Sequence, residues 1–111
     1  MTKNYYITTP IYYPSAKPHM GHAYSSIVAD FFARFKSING FNVFFLTGTD
    51  EHGQKIQRAA ENNNKDPLEF CNEISKTFKE LSKTLNLSNN DFIRTTEERH
   101  YKSVQHLWNI L

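Results

Sequence analysis

The alternation of strand-like and helix-like patterns over the first 46 residues is the feature that most constrains the fold. Residues 5–8 are aromatic or β-branched and stop before Pro10, which is typical of a short buried strand. After Pro18, apolar residues recur at spacings of three and four, which predicts a helix with one apolar stripe. The stripe consists of Tyr24, Ile27, Val28, Phe31, Phe35 and Ile38. Residues 39–40 (Asn-Gly) predict the end of this helix, and the apolar run over residues 41–46 predicts a strand covered on both faces.

This strand–helix–strand segment predicts a right-handed βαβ unit with two parallel strands. The alternation then continues with a helix over residues 54–61, a helix that begins at residues 66–67 (Asp-Pro), and a strand over residues 92–94. The second of these helices has an apolar stripe of Cys71, Ile74, Phe78, Leu81 and Leu85. Residues 95–98 have the spacing of a capping box and predict the start of a last helix. One face of that helix carries Val104, Leu107, Trp108 and Leu111. We therefore predict an α/β fold in which helices flank a parallel sheet.

Composition supports one domain and narrows its environment. The 111 residues, 39% of them apolar, are enough for one hydrophobic core. The net charge of +2 comes from scattered residues, so it neither requires nor excludes a nucleic-acid partner. The single cysteine, Cys71, excludes an internal disulfide, and no apolar run approaches the roughly 20 residues needed to cross a bilayer. We expect a soluble cytoplasmic protein that does not associate with a membrane, although the chain is short for an enzyme with two substrates.

Two histidines mark the start of the long predicted helix. His19 and His22 are three residues apart, so they lie on the same side of a helical turn and can both hydrogen-bond one phosphate group. The free N–H groups and the dipole at a helix N-terminus also favour an anion. Gly21 has no side chain, which lets a flat group such as a base approach the backbone closely. The pattern favours a phosphorylated adenine nucleotide. The alternative is that both histidines are surface residues at a helix start, without a ligand.

A second polar cluster, residues 50–52, follows the predicted second strand. A carboxylate such as that of Asp50, placed at a strand end, can pair with the ammonium group of a ligand. The alternatives are that Asp50 caps a helix and that His52 packs within the loop. His52 could also complete a zinc site with His19 and His22, but no cysteine accompanies them, so we expect no metal site within the chain.

Other candidate features point less clearly to a site. Neither a G-x-G-x-x-G turn nor a P-loop pattern occurs. Cys71 lies on a predicted core stripe without an activating neighbour, so we interpret it as a packing residue. Tyr12 and Tyr13 lie in a loop that three prolines stiffen. Both rings could anchor the core, and one of them could face a ligand.

Three blocks of sequence together resemble the N-terminal part of bacterial-type methionyl-tRNA synthetases. They are residues 6–13 (YITTPIYY), residues 17–24 (KPHMGHAY) and residues 44–56 (FFLTGTDEHGQKI). Residues 19–22 (HMGH) resemble the HIGH motif of class I aminoacyl-tRNA synthetases, with Met20 at a position where family members vary among apolar residues. The order and spacing of the blocks are more specific than the HxGH pair alone. Because residues 91–96 (DFIRTT) are also similar, the resemblance covers nearly the whole chain.

The resemblance implies a Rossmann-type (HUP-like) catalytic domain and a role for each matching residue. His19 and His22 would stabilise the ATP phosphates, and Gly21 would lie under the adenine. Asp50 would hold the ammonium group of methionine. The residues that would line the methionine pocket are Pro10, Ile11 and Tyr13. The implied enzyme is a methionine–tRNA ligase that uses ATP with Mg²⁺ to form methionyl-adenylate, and then transfers methionine to tRNA(Met).

Several parts of such an enzyme have no counterpart in this sequence. Residues 1–111 match the first half of the catalytic nucleotide-binding domain. The connective insertion, the half that bears the KMSKS motif and the anticodon-binding domain are absent. We therefore expect this chain to act as part of a longer parent chain and to be inactive alone. The alternatives are another class I synthetase, an HxGH nucleotidyltransferase, or a non-catalytic synthetase-like module that binds tRNA or a protein.

Overall fold

The computed structural model describes all 111 residues and contains three strands and four helices. In chain order they are β1 (Asn4–Thr8), α1 (Met20–Ile38), β2 (Asn42–Thr49), α2 (Gln54–Asn62), α3 (Pro67–Thr84), β3 (Asp91–Arg94) and α4 (Glu98–Ile110). The strands form one sheet in the order β1-β2-β3, and both neighbouring pairs are parallel. The predicted α/β class and the parallel pairing of the first two strands are confirmed. None of the four helices is long and apolar enough to cross a membrane.

Strand β2 continues three residues beyond its predicted end at Leu46. Residues 47–49, expected to begin a polar loop, pair instead with residues 92–94 of β3. Gly48 lies opposite Ile93, and a Cβ atom at Gly48 would lie 2.7 Å from Ile93 Cγ2 and 2.9 Å from the Ile93 carbonyl carbon. Glycine therefore permits the close approach of β2 and β3, a requirement that the polar composition of this segment does not reveal.

Helix α1 packs on the sheet through its small residues. Ala29 and Ala33 contact Phe45, with Ile7 and Val43 at the edge of this cluster. The predicted apolar stripe points elsewhere and is exposed, with Phe31 at 61% and Ile38 at 86%. Small side chains allow a helix to approach the pleated surface closely, so α1 covers the sheet with this face.

The opposite face of the sheet is open, which corrects the expectation that β2 is covered on both faces. The rings of Tyr6 and Phe44 lie 6.0 Å apart on this face, and both are exposed. Alternate residues of a strand point to opposite faces, so Val43 and Phe45 face α1 while Phe44 does not.

Of the two later helix starts that the sequence predicts, the start of α3 is confirmed and the start of α4 is wrong. Asp66 caps α3 and accepts hydrogen bonds from the backbone N–H groups of Leu68 and Glu69. The predicted capping box at residues 95–98 does not form, because α4 begins after Glu97 and has no side-chain cap. Thr95 instead accepts a hydrogen bond from the backbone N–H of residue 51 at 2.8 Å. The apolar face predicted for α4 is exposed throughout.

Candidate functional site

The proline-containing loop that follows β1 pairs with the carboxyl end of β2 at one position, where Tyr12 lies opposite Thr49. The N–H of Tyr12 donates to the Gly48 carbonyl at 3.0 Å, and the N–H of Asp50 donates to the Tyr12 carbonyl at 2.9 Å. Tyr12 is buried, and its hydroxyl lies 3.0 Å from that of Ser26 on α1. Tyr12 is therefore the core anchor of the tyrosine pair, and its exposed neighbour Tyr13 is free to face a ligand.

His19 and His22 cap the N-terminus of α1 reciprocally. Nδ1 of His19 accepts from the N–H of Gly21 at 3.0 Å, and Nδ1 of His22 accepts from the N–H of His19 at 3.1 Å. A backbone N–H can only donate, so each Nδ1 must be an acceptor and, in the neutral ring, each Nε2 carries the proton. The ring centroids are 3.9 Å apart. The helix start therefore fixes two adjacent Nε2–H donors.

Two aromatic rings hold the side chain of His22. The Tyr12 ring lies edge-on at 4.8 Å and the Phe78 ring of α3 at 5.1 Å. Burial lowers the pKa of His22 below its ordinary value of 6.5, and the charges of His19 and Lys55 lower it further. His22 is therefore held in its neutral form near pH 7, as a hydrogen-bond donor rather than a cation.

Gly21 has an intramolecular reason to be glycine. A Cβ atom at this position would lie 2.8 Å from Cε1 and 3.0 Å from Nδ1 of the His19 ring. The absent side chain therefore leaves room for the capping histidine. The role implied by the resemblance, space for adenine, remains a prediction.

An open cavity of about 390 Å³ lies between the proline-containing loop, the start of α1 and the start of α2. Its lining comprises Ile11, Tyr12, Tyr13, Ser15, Ala16, Lys17, His19, His22 and Lys55. The lining therefore includes two lysines and both histidines but no carboxylate. Such a cavity favours an anionic ligand because its fixed charges are positive and its histidines supply donors. Lys55, with Nζ 5.9 Å from the Tyr13 ring centroid, was not found by sequence reasoning.

The predicted site residues divide into two groups around this cavity. Ile11, Tyr13, His19 and His22 line it together, whereas Pro10, Gly21 and Asp50 lie outside the lining. Asp50 is half-buried just beyond the end of β2, and its carboxylate makes no hydrogen bond or ion pair within the chain. Asp50 does not cap α2, because the capping position is Gly53, which receives no side-chain hydrogen bond.

Behind Asp50 lies a buried ion pair that sequence reasoning also missed. The side chain of Glu51 is fully buried, and it accepts hydrogen bonds from Nε and Nη2 of Arg94 at 2.7 and 2.6 Å. The hydroxyls of Thr49 and Thr96 donate to the same carboxylate at 2.8 and 3.2 Å. Hydrogen bonding to Glu51 raises the pKa of Arg94. The ends of β2 and β3 are thus joined by a fully paired carboxylate.

The comparisons with known proteins agree with the resemblance of the motifs. The family model described as "tRNA synthetases class I (M)" matches residues 5–111. The chain belongs to the class I tRNA synthetases. A mitochondrial methionine–tRNA ligase of Takifugu rubripes is 58% identical over 109 residues, covering 98% of this chain and 18% of the relative. The methionine–tRNA ligase of Rickettsia conorii is 55% identical over 108 residues, covering 97% of this chain and 21% of the relative.

A solved synthetase has the same fold. A Mycobacterium tuberculosis methionyl-tRNA synthetase, determined in complex with methionyl-adenylate, superposes with a TM-score of 0.95 at 44% identity. The superposition covers 97% of this chain and 21% of that one. The Rossmann-like class is therefore confirmed, and this synthetase-family chain spans about a fifth of the length of its relatives.

The remaining candidates in this synthetase-family chain lie away from the histidine pair. Nε2 of His52 lies 3.3 Å from the Thr95 carbonyl oxygen, and its ring is 6.0 Å from that of Tyr101. No group of three histidine, cysteine or acidic side chains is arranged to hold a metal ion. Cys71 is buried, and burial raises its pKa to about 11, which suits the predicted packing role.

Proposed function

We propose that this chain supplies the ATP-phosphate and methionine contacts of a methionine–tRNA ligase, as the N-terminal half of its catalytic nucleotide-binding domain. The observation that carries the proposal is the pair of fixed Nε2–H donors on a cavity whose lining has no carboxylate. The names of the relatives, methionine–tRNA ligases at 55–58% identity, support the assignment of the amino acid. The whole enzyme's activity requires the parts of the chain that those relatives have in addition.

In the proposed reaction, a carboxylate oxygen of methionine attacks the α-phosphorus of ATP. The bond from this phosphorus to the bridging oxygen breaks, and pyrophosphate leaves with the electron pair of that bond. His19 and His22 donate Nε2–H hydrogen bonds to the phosphate oxygens, where negative charge develops. Donors fixed before the reaction stabilise that charge without reorganising, because the capping hydrogen bonds already orient both rings. The products are methionyl-adenylate and pyrophosphate, with no covalent enzyme intermediate.

The proposed amino-acid contacts combine an apolar wall with one carboxylate. Pro10, Ile11 and Tyr13 would line the methionine side chain, and the exposed ring of Tyr13 supplies both an apolar face and a hydroxyl. Asp50 would pair with the methionine ammonium, which suits a half-buried carboxylate without a partner in the chain. Gly21 would lie near the adenine. ATP would arrive as its Mg²⁺ complex, since the cavity lining has no carboxylate to hold the ion by itself.

The later steps of the reaction complete the proposal. Methionine would pass from the adenylate to tRNA(Met), in the cytoplasm, with contacts supplied by the rest of the ligase. No segment of the 111 residues matches the lysine loop of the KMSKS type that covers the ATP phosphates in this family. We therefore expect no methionine-dependent ATP–pyrophosphate exchange from the 111-residue chain alone. Exchange by this chain would show that the remaining segments are not needed.

A hybrid enzyme tests the proposed function directly. This chain replaces the matching 108 residues of the Rickettsia conorii ligase, and methionine-dependent ATP–pyrophosphate exchange is measured. We expect exchange with methionine but not with leucine, isoleucine, valine or cysteine. His19→Gln or His22→Gln should lower kcat by about 10²–10³-fold, as loss of a transition-state donor does. His106→Gln, on the exposed face of α4, is the matched control and should leave kcat unchanged. A hybrid without exchange, or histidine variants equal to the control, would refute the proposal.

A further inference from the structure

We propose that Glu51 and Arg94 are positioning residues that hold Asp50 in place for the methionine ammonium. The inference rests on the proposed function, because it assigns to Asp50 the role of ammonium partner. Neither Glu51 nor Arg94 lines the cavity, so both would act through Asp50 rather than by touching the substrate.

The Glu51 carboxylate is fully hydrogen-bonded within the chain. Arg94 and the hydroxyls of Thr49 and Thr96 satisfy its two oxygens, and its side chain has no exposed surface. The second Arg94 nitrogen, Nη2, also donates to the side-chain oxygen of Asn72 on α3 at 2.7 Å. This network connects the ends of β2 and β3 to α3, so it fixes the chain immediately after Asp50 to three elements of the fold.

The backbone is also hydrogen-bonded on both sides of the Asp50 side chain. The N–H of Asp50 donates to the Tyr12 carbonyl at 2.9 Å, and the N–H of Glu51 donates to the Thr95 hydroxyl at 2.8 Å. The Sγ atom of Cys71 lies 3.9 Å from the Glu51 carbonyl oxygen. The Asp50 carboxylate lies between these fixed points and, unlike that of Glu51, has no partner within the chain. A free carboxylate on a fixed backbone is the arrangement expected of a preorganised ligand group.

Arg94 also removes an electrostatic repulsion next to Asp50. Glu51 follows Asp50 directly in the chain, so an unpaired charge on Glu51 would repel the charge on Asp50. Arg94 neutralises Glu51 at hydrogen-bond distance, and the pair adds no net charge beside Asp50. The Glu51 charge is therefore paired, and the Asp50 carboxylate remains available to a cation from outside the chain.

Steady-state kinetics of ATP–pyrophosphate exchange by the hybrid ligase test the positioning role. We expect Glu51→Gln, which keeps the size of the side chain, to raise the KM for methionine about tenfold while the KM for ATP stays within about twofold. Arg94→Lys, the conservative variant, should raise the methionine KM less than Arg94→Met does. Arg34→Lys alters the other partly buried ion pair, with Asp30, and is the matched control that should leave both constants unchanged. Equal rises in both KM values, or no rise in either, would overturn the inference.

Amide hydrogen exchange in the 111-residue chain gives a second test that needs no turnover. In Glu51→Gln, we expect the Asp50 amide to exchange about tenfold faster, while the Thr9 amide, which donates to the Leu46 carbonyl, keeps its rate. Acceleration of both amides would indicate general destabilisation and would overturn the inference, as would no change at Asp50. If the hybrid with the unaltered sequence shows no ATP–pyrophosphate exchange, the proposed function fails. The amide hydrogen exchange rates still decide in that case whether Glu51 orders the backbone at Asp50.

Discussion

Replacing Gly48 by alanine should separate β2 from β3. The added Cβ would lie 2.7 Å from Ile93 Cγ2, 2.9 Å from the Ile93 carbonyl carbon, and closer still to the carbonyl oxygen. Since carbon atoms normally approach to about 3.5–4.0 Å, the strands must move apart by about 1 Å. The flanking hydrogen bonds Asn90 N–H to the Phe45 carbonyl (2.8 Å) and Thr95 N–H to the Thr49 carbonyl (3.2 Å) would then approach or exceed 4 Å.

The expected loss of stability follows from these contacts. Two net hydrogen bonds at about 0.5–1.5 kcal/mol each, with about 1–3 kcal/mol for overpacking, give a loss of about 2–6 kcal/mol in the free energy of unfolding. Urea unfolding followed by circular dichroism measures this loss. Gly40→Ala is the matched control. Its φ of +81° disfavours alanine by about 1–2 kcal/mol, but apart from the adjacent residues no atom lies within 4 Å of the new Cβ. A loss at Gly48 no greater than that at Gly40 would refute the steric argument.

Three further predictions concern titratable groups. Burial alone would raise the pKa of Asp30, but hydrogen bonds from Ser88 and Arg34 hold this pKa below its ordinary value of 3.8. The ionised Asp30 therefore stabilises the folded chain above pH 3.8, and this stabilisation is lost as the pH falls through the lowered pKa. Asp30→Asn should therefore lower the free energy of unfolding by about 1.5–3 kcal/mol at pH 7. The urea midpoint of unfolding should also fall less steeply with decreasing pH in this variant than in the unaltered chain. Because the pKa of His22 is lowered in the folded chain, the unfolded chain binds a proton at this residue more readily. The free energy of unfolding should therefore fall as the pH drops below 6.5. The contribution of His22 to this fall should be absent in His22→Gln. The buried thiol of Cys71, with its pKa of about 11, should react with iodoacetamide at pH 8 at least about tenfold more slowly than it does in urea; equal rates would contradict its burial.

The βαβ unit was predictable because it depends on local signals. The Pro and Asn-Gly boundaries and the change of apolar period mark the elements that the structure contains. What a periodic stripe cannot show is which face of a helix meets the sheet. In α1 the small residues Ala29 and Ala33 permit the closest approach to Phe45, so the stripe with larger side chains, such as Phe31, remains exposed.

The candidate site shows the same division between local and long-range signals. His19 and His22 were found because three-residue spacing has a fixed meaning in a helix. The pair of Glu51 and Arg94 was missed because 43 residues separate its members, and no periodicity relates them. The polar segment 47–49 looked like a loop because its residues do not alternate in hydropathy. Only its pairing with β3, and the close approach at Gly48, make it a strand.

The two interpretations of the histidine pair, helix capping and ligand binding, prove compatible because they use different nitrogens. Capping engages Nδ1 of His19 and of His22, and it is this engagement that places the proton of each neutral ring on Nε2. A glutamine at the third helical position can also accept a hydrogen bond from the capping residue, but it lacks the planar ring that places a donor at the position of Nε2. His22→Gln should therefore preserve the helix start and still reduce turnover. Loss of stability in proportion to loss of activity would instead mean that the histidines serve the helix alone.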